Sequence, residues 1–131
     1  KKVRPLNQST DYAIRMILYL AKTACTVPSS KLSAAIGVSP RYLLQIGAKL
    51  RDAGLISVTY GTTGGYSLVK APEKISLFEV IKVMEGSTQI KLQEFSENKQ
   101  VEFRLLDAAY AHINQIVVTF LKTTTIDQLI S

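Results

Sequence analysis

Residues 29–69 constrain the fold more tightly than any other stretch, because their serines, prolines and glycines fall where helix ends and turns need them. Ser29 or Ser30 stands where a cap belongs for a short helix through Ile36, and Gly37 supplies the φ > 0 residue that ends it. Ser39 then predicts the cap of a second helix with Pro40 at its first position, where the missing N–H costs nothing. Residues 41–53 run at helical period, with Leu43, Ile46 and Leu50 spaced by three and four, and Gly54 follows as the stop. Two helices joined by about four residues have the spacing of a DNA-reading helix-turn-helix.

Beyond Gly54, residues 55–59 and 66–69 are rich in β-branched, aromatic and leucine residues, and Gly61-Thr62-Thr63-Gly64-Gly65 lies between them. This predicts a hairpin with a flexible tip. A glycine-rich phosphate cradle needs a strand before it and a helix after it. Here a strand follows, so the reading is a wing. In such a winged helix the first turns of the second helix face base edges. Ser39, Arg41, Tyr42 and Gln45 occupy them: Arg41 suits guanine, Gln45 suits adenine, and Ser39 or Tyr42 suits phosphate. Tyr42 is open equally to a core or hinge role. Lys49, one turn on, suits the DNA backbone, as do Thr62, Thr63 and Gly64 at the wing tip.

The charge is distributed in the same sense. Residues 1–70 hold ten Lys or Arg against Asp11 and Asp52; residues 71–131 hold six against eight acids, which divides the net charge of +6 into +8 and −2. Phosphate binding asks for the excess where the helix-turn-helix and wing are. No apolar run approaches the length of a membrane span, and charged residues interrupt the N-terminus before a signal-like region forms, so a cytoplasmic protein without a membrane partner is expected. The chain starts on Lys1 rather than Met, which predicts a true start ahead of it. Its one cysteine, Cys25, excludes an internal disulfide and any multi-cysteine metal site built by one protomer. One Cys, one His and no acid–base cluster leave little from which to build a catalytic site, so no enzyme is expected.

In chain order, residues 1–8 read as an extended basic arm, and Thr10 or Ser9 as the cap of a first helix running to about Ala24. Its apolar residues cover most of the circumference, as in a helix buried between others. Ser76-Leu77-Phe78-Glu79 forms a capping box for a helix ending near Glu85, with Gly86 as its stop. Residues 87–98 are polar and weakly patterned. From about residue 97 to 122 a long helix carries Phe103, Leu106, Tyr110, Ile113, Val117 and Phe120 at spacings of three and four. Such a stripe packs either on the protein's own winged helix or on a second copy; the expectation is a homodimer seam. Thr125 with Gln128 predicts one more cap before a short terminal helix. Cys25 is open to two readings, a redox sensor beside the helix-turn-helix or an inert small residue in a loop. His112 reads as a surface or seam residue.

The motifs Ser9-Thr10-Asp11-Tyr12-Ala13, Tyr42-Leu43-Leu44-Gln45, Lys49-Leu50-Arg51-Asp52-Ala53-Gly54-Leu55-Ile56, Gly64-Gly65-Tyr66 and Val83-Met84-Glu85-Gly86 closely resemble those of the Rrf2 family of bacterial repressors, in order and spacing. The resemblance implies a DNA-binding transcription regulator that dimerises through the long helix. It also implies three cysteines within residues 87–98 in cluster-binding members; this sequence has none there, so no iron–sulfur cofactor is expected. Family members that sense nitric oxide can ligate iron through an aspartate matching Asp11. A carboxylate there also complements the helix dipole, and without cysteine ligands that structural role is the expectation. The resemblance further implies an arginine where Tyr60 stands, whose absence leaves wing contacts to Thr62 and Thr63, and a glutamate where Leu44 stands, so the family's operator sequence is not carried over to this protein. The expected architecture is mostly α with a small β-hairpin wing. Residues 1–86 form the winged helix-turn-helix, 87–96 a polar linker, and 97–131 the dimerisation helix with a short terminal helix, in one structural domain overall. Expected partners are a palindromic double-stranded DNA operator, a second copy of the chain, and a protein or small-molecule effector.

Overall fold

The computed structural model describes residues 6–86 and 100–130. Residues 1–5 of the expected arm and the polar stretch 87–98 lie outside the described residues; Gln8, expected in the arm, instead begins the first helix, because Asn7 caps it. Helix α1 (Gln8–Thr23) is the hub: it packs on α2 (Ser29–Ile36), α3 (Pro40–Asp52), α4 (Leu77–Glu85) and the second strand of the hairpin. Met16, Ile17 and Leu20 on α1 are 0–1% exposed, and they meet Leu32 of α2 and Leu43, Ile46 and Leu50 of α3 in one core. A helix apolar around most of its circumference is stable only when surrounded in this way.

The helix ends follow the punctuation, with corrections. The cap of α1 is Asn7, whose side chain accepts the Thr10 N–H at 2.9 Å. Thr10 sits buried within the first turn instead. Helix α2 begins after Pro28 without a side-chain cap, so neither Ser29 nor Ser30 serves as one. Ser39 does cap α3, accepting the Tyr42 N–H at 3.1 Å. Three residues, rather than about four, join α2 to α3. Gly54, at φ 80°, closes a Schellman turn: its N–H donates to Arg51 O at 2.9 Å and the Leu55 N–H donates to Leu50 O at 3.0 Å. That turn aims the chain into the hairpin of β1 (Ile56–Thr59) and β2 (Gly65–Leu68), antiparallel with Ile56 opposite Leu68 and Thr59 opposite Gly65.

Two long-range ties were not anticipated. Val27, in the loop between α1 and α2, exchanges two backbone hydrogen bonds of 2.8 Å with Tyr66, adding a third edge to the hairpin. At the other end, Ile126 N–H donates to Ile75 O and Leu77 N–H to Thr124 O, both at 2.9 Å. Ile126 is fully buried, so the segment after the long helix α5 (Val101–Thr123) returns to the winged-helix core. The terminal turn, Ile126–Leu129, is a 3-10 helix, and Thr125 Oγ1 donates to Asp127 rather than pairing with Gln128. The capping box before α4 forms by half. Ser76 accepts the Glu79 N–H at 3.1 Å, but the Glu79 carboxylate turns to Lys70 Nζ at 2.9 Å, where a full charge outbids a neutral N–H.

Candidate nucleic-acid interface

Helix α3 has two sides with different chemistry. Leu43, Ile46, Gly47 and Leu50 are buried, while Arg41, Leu44, Gln45 and Lys49 are exposed on the opposite side. The 3.6-residue period alone produces this division. Gly47 is needed on the inner side because a Cβ there would stand 2.9 Å from the ring of Tyr66; the ring that β2 contributes thus packs against α3, whose strand neighbour is β1. Burial raises the Tyr66 phenol above the ordinary tyrosine pKa, with Tyr60 adding to the shift and Arg51 opposing it. Tyr42 is half-buried and meets Tyr12 edge to face, with centroids 5.9 Å apart, which favours its hinge role over base reading. Ser39 accepts the Tyr42 N–H as the cap of α3, which leaves its hydroxyl hydrogen to donate.

At the tip between β1 and β2, Tyr60 is 81% exposed and Thr62 and Thr63 are exposed beside it. The Gly64 N–H already donates to Gly61 O at 3.1 Å, so Gly64 shapes the turn, and the threonines carry the groups that can meet a phosphate. A Cβ on Gly64 would collide with Thr59 O at 2.1 Å. Lys70, at the root of β2, is tied to α4 through Glu79. Asp11 pairs with Arg15 at 3.0 Å across one helical turn, in keeping with a structural carboxylate.

Cys25 is exposed. It lies on a cleft of about 320 Å³ between the end of α1 and the outgoing strand of the wing, lined also by Leu68, Lys70 and Pro72. His112 is exposed on α5.

No residue of α5 is buried. Asp107, Tyr110, Asn114, Val117, Val118 and Leu121 are half-buried, and they share one side of the helix; α5 packs on α4, with Lys122 Nζ 4.8 Å from the Phe78 ring centroid. The anticipated stripe therefore divides. Tyr110 and Val117 turn toward the body of the protein, while Phe103, Leu106, Ile113 and Phe120 stay 41–60% exposed. The open apolar arc continues sideways to Leu105 and Ile116, at 66% and 56%. Leu106, Ala109, Ile113, Ile116 and Phe120 form an exposed row with spacings of three and four. Sequence periodicity detected one stripe where the helix carries two overlapping ones.

A short helix, a three-residue turn, a second helix with an outward polar face and a hairpin beside it define a winged helix-turn-helix. The chain belongs to the Rrf2 family of transcriptional regulators: residues 6–131 match the family model described as "Rrf2: Iron-dependent Transcriptional regulator". It is 33% identical over 122 residues to the HTH-type transcriptional regulator CymR of Bacillus subtilis, covering 92% of this chain and 85% of that protein. It is 34% identical over 91 residues, 65% of this chain, to the HTH-type transcriptional regulator NsrR of Halalkalibacterium halodurans. The match spans 60% of that NsrR, under two thirds of its length. The solved structure of B. subtilis CymR superposes with a TM-score of 0.78 at 22% identity, over 97% of this chain and 96% of that one, which establishes the common fold. The family description names iron, but the donors here do not fit an iron–sulfur cluster. The whole sequence has one cysteine, against the three or four thiolates such a cluster takes (about four per cluster). Among the described residues no three His, Cys, Asp or Glu side chains converge, and no helix is long and apolar enough to cross a membrane.

Proposed function

We propose that this protein is a homodimeric repressor that binds a two-fold symmetric operator, with α3 in the major groove of each half-site and Thr62 and Thr63 of the wing on the flanking backbone. The outward face of α3 carries the reading. Arg41, Gln45 and Lys49 stand exposed in a row on a helix whose other side is locked in the core, so the backbone that presents them is held in place. The basic excess of residues 1–70 supports it. The second copy supplies the second half-site by symmetry, and the open row on α5 from Leu106 to Phe120 is the surface we assign to the dimer.

Substitutions on α3 sort by contact. Fluorescence anisotropy on the DNA upstream of the protein's own reading frame, against a scrambled duplex, should show Gln45→Ala narrowing the ratio between the two by about tenfold (on the order of 1–3 kcal/mol per base contact). Lys49→Ala should weaken both equally and flatten the log affinity against log salt slope by about one per protomer. Unchanged discrimination in Gln45→Ala would mean that α3 is docked differently.

A second reading, a thiol switch, is favoured by the exposure of Cys25 on the cleft at the root of the wing. Modification there would press on residues that position β2. Mild oxidant should then release the parent from DNA and leave Cys25→Ser bound; equal behaviour of the two assigns the thiol a structural role.

A further inference from the structure

Leu44 is 61% exposed on the outward side of α3, next to Gln45 in sequence and one turn from Arg41. A single exposed leucine on an ordinary surface needs no explanation. This one stands among the polar groups of the face assigned to the major groove, on a helix fixed at its start by the Ser39 cap and at its end by the Gly54 turn. An isobutyl group can form no hydrogen bond with a base edge. The apolar feature that standard bases present in the major groove is the 5-methyl group of thymine.

We infer that Leu44 reads a thymine methyl group in each operator half-site, beside the base contacted by Arg41. The inference rests on the proposed docking of α3. Its physical basis is the removal of apolar surface from water on both partners, without the exact angles a bidentate hydrogen bond demands. It gives the half-site a thymine preference that neither Arg41 nor Gln45 supplies.

The test uses an operator obtained by repeated selection of random duplexes on the full chain. Each thymine of the half-site is then replaced by deoxyuridine, which deletes the methyl group and leaves base pairing intact. For the parent protein, one thymine should prove sensitive, with affinity falling about fourfold when one half-site is changed and about fifteenfold when both are (roughly one buried methyl each). In Leu44→Ala the same replacement should change affinity by less than about 1.5-fold. Leu44 is exposed and lies outside the hydrophobic core, so the variant should keep the parent's melting temperature, and a second variant, Leu44→Gln, guards against a local effect of alanine. If no thymine of the half-site is methyl-sensitive, or if Leu44→Ala and Leu44→Gln lose as much as the parent at the sensitive position, the inference is wrong while the docking of α3 stands. If selection yields no preferred sequence at all, the docking itself fails and Leu44 with it.

Discussion

Replacing Ile113 by glutamate should split the proposed dimer into monomers and lower the affinity for a two-half-site operator by on the order of 100-fold or more. Ile113 is 45% exposed in the single chain and lies mid-way along the open row of α5, so the substitution should spare the fold of one protomer. In a two-fold interface each substitution appears twice, and each carboxylate would lose its water without gaining a cation. The monomer then binds one half-site at a time and forfeits the effective concentration that joins the second. Sedimentation velocity, with anisotropy on single and double half-sites, separates the two effects: single half-site affinity should hardly change. Substitution of Tyr110, which faces the protein's own body, should instead act on stability. An Ile113→Glu variant that sediments as a dimer would move the interface away from this row.

The second large effect is on stability. Gly65→Ala should cost about 3 kcal/mol or more and lower the melting temperature by about 10 °C. At φ 153°, Gly65 brings its backbone against the Val27–Pro28 peptide, and a Cβ would stand 2.1 Å from Val27 O. Relief requires the loop between α1 and α2 to move, which breaks the paired 2.8 Å bonds between Val27 and Tyr66. That loop also starts the first helix of the helix-turn-helix. Gly54→Ala is the control, since it meets nothing within 4 Å and carries only the strain of φ 80°, about 1–2 kcal/mol. Equal melting temperatures for the two variants would show that the close approach at Gly65 does not hold the wing to the body.

The positions where the sequence was legible are those governed by local stereochemistry. Ser39, Pro40 and Gly54 announce the bounds of α3 because a cap, a fixed φ and a left-handed turn are properties of a few neighbouring residues. The outward placement of Arg41, Gln45 and Lys49 followed from period alone. What sequence could not supply was the choice among equivalent local partners. Asn7, Ser9 and Thr10 are all competent caps, and the structure takes Asn7, with Thr10 buried inside the first turn. Glu79 had a neutral partner in its own box and a charged one nine residues away, and Lys70 took it.

The stripe on α5 illustrates the same point at larger scale. Leu106, Tyr110, Ile113 and Val117 obey one period, yet α4 covers one edge of it and leaves the other open. Only the position of α4 reveals Leu105 and Ile116 as part of the exposed arc. Leu44 is the counterpart on α3: the resemblance to the family implies a glutamate there, and the structure shows that Leu44 stands in the open. The pairing of Val27 with Tyr66 carries no local signal, because one residue of a loop meeting one strand residue has neither period nor punctuation.

The most direct test of a symmetric dimer reading DNA through α3 is a hydroxyl-radical footprint on the selected operator. Two protected segments of equal length are expected, related by a two-fold axis and centred one helical turn, about 10 base pairs, or a whole multiple of it apart. Arg41→Ala should weaken both together. A single protected segment, or protection that follows the duplex without regard to sequence, would contradict it.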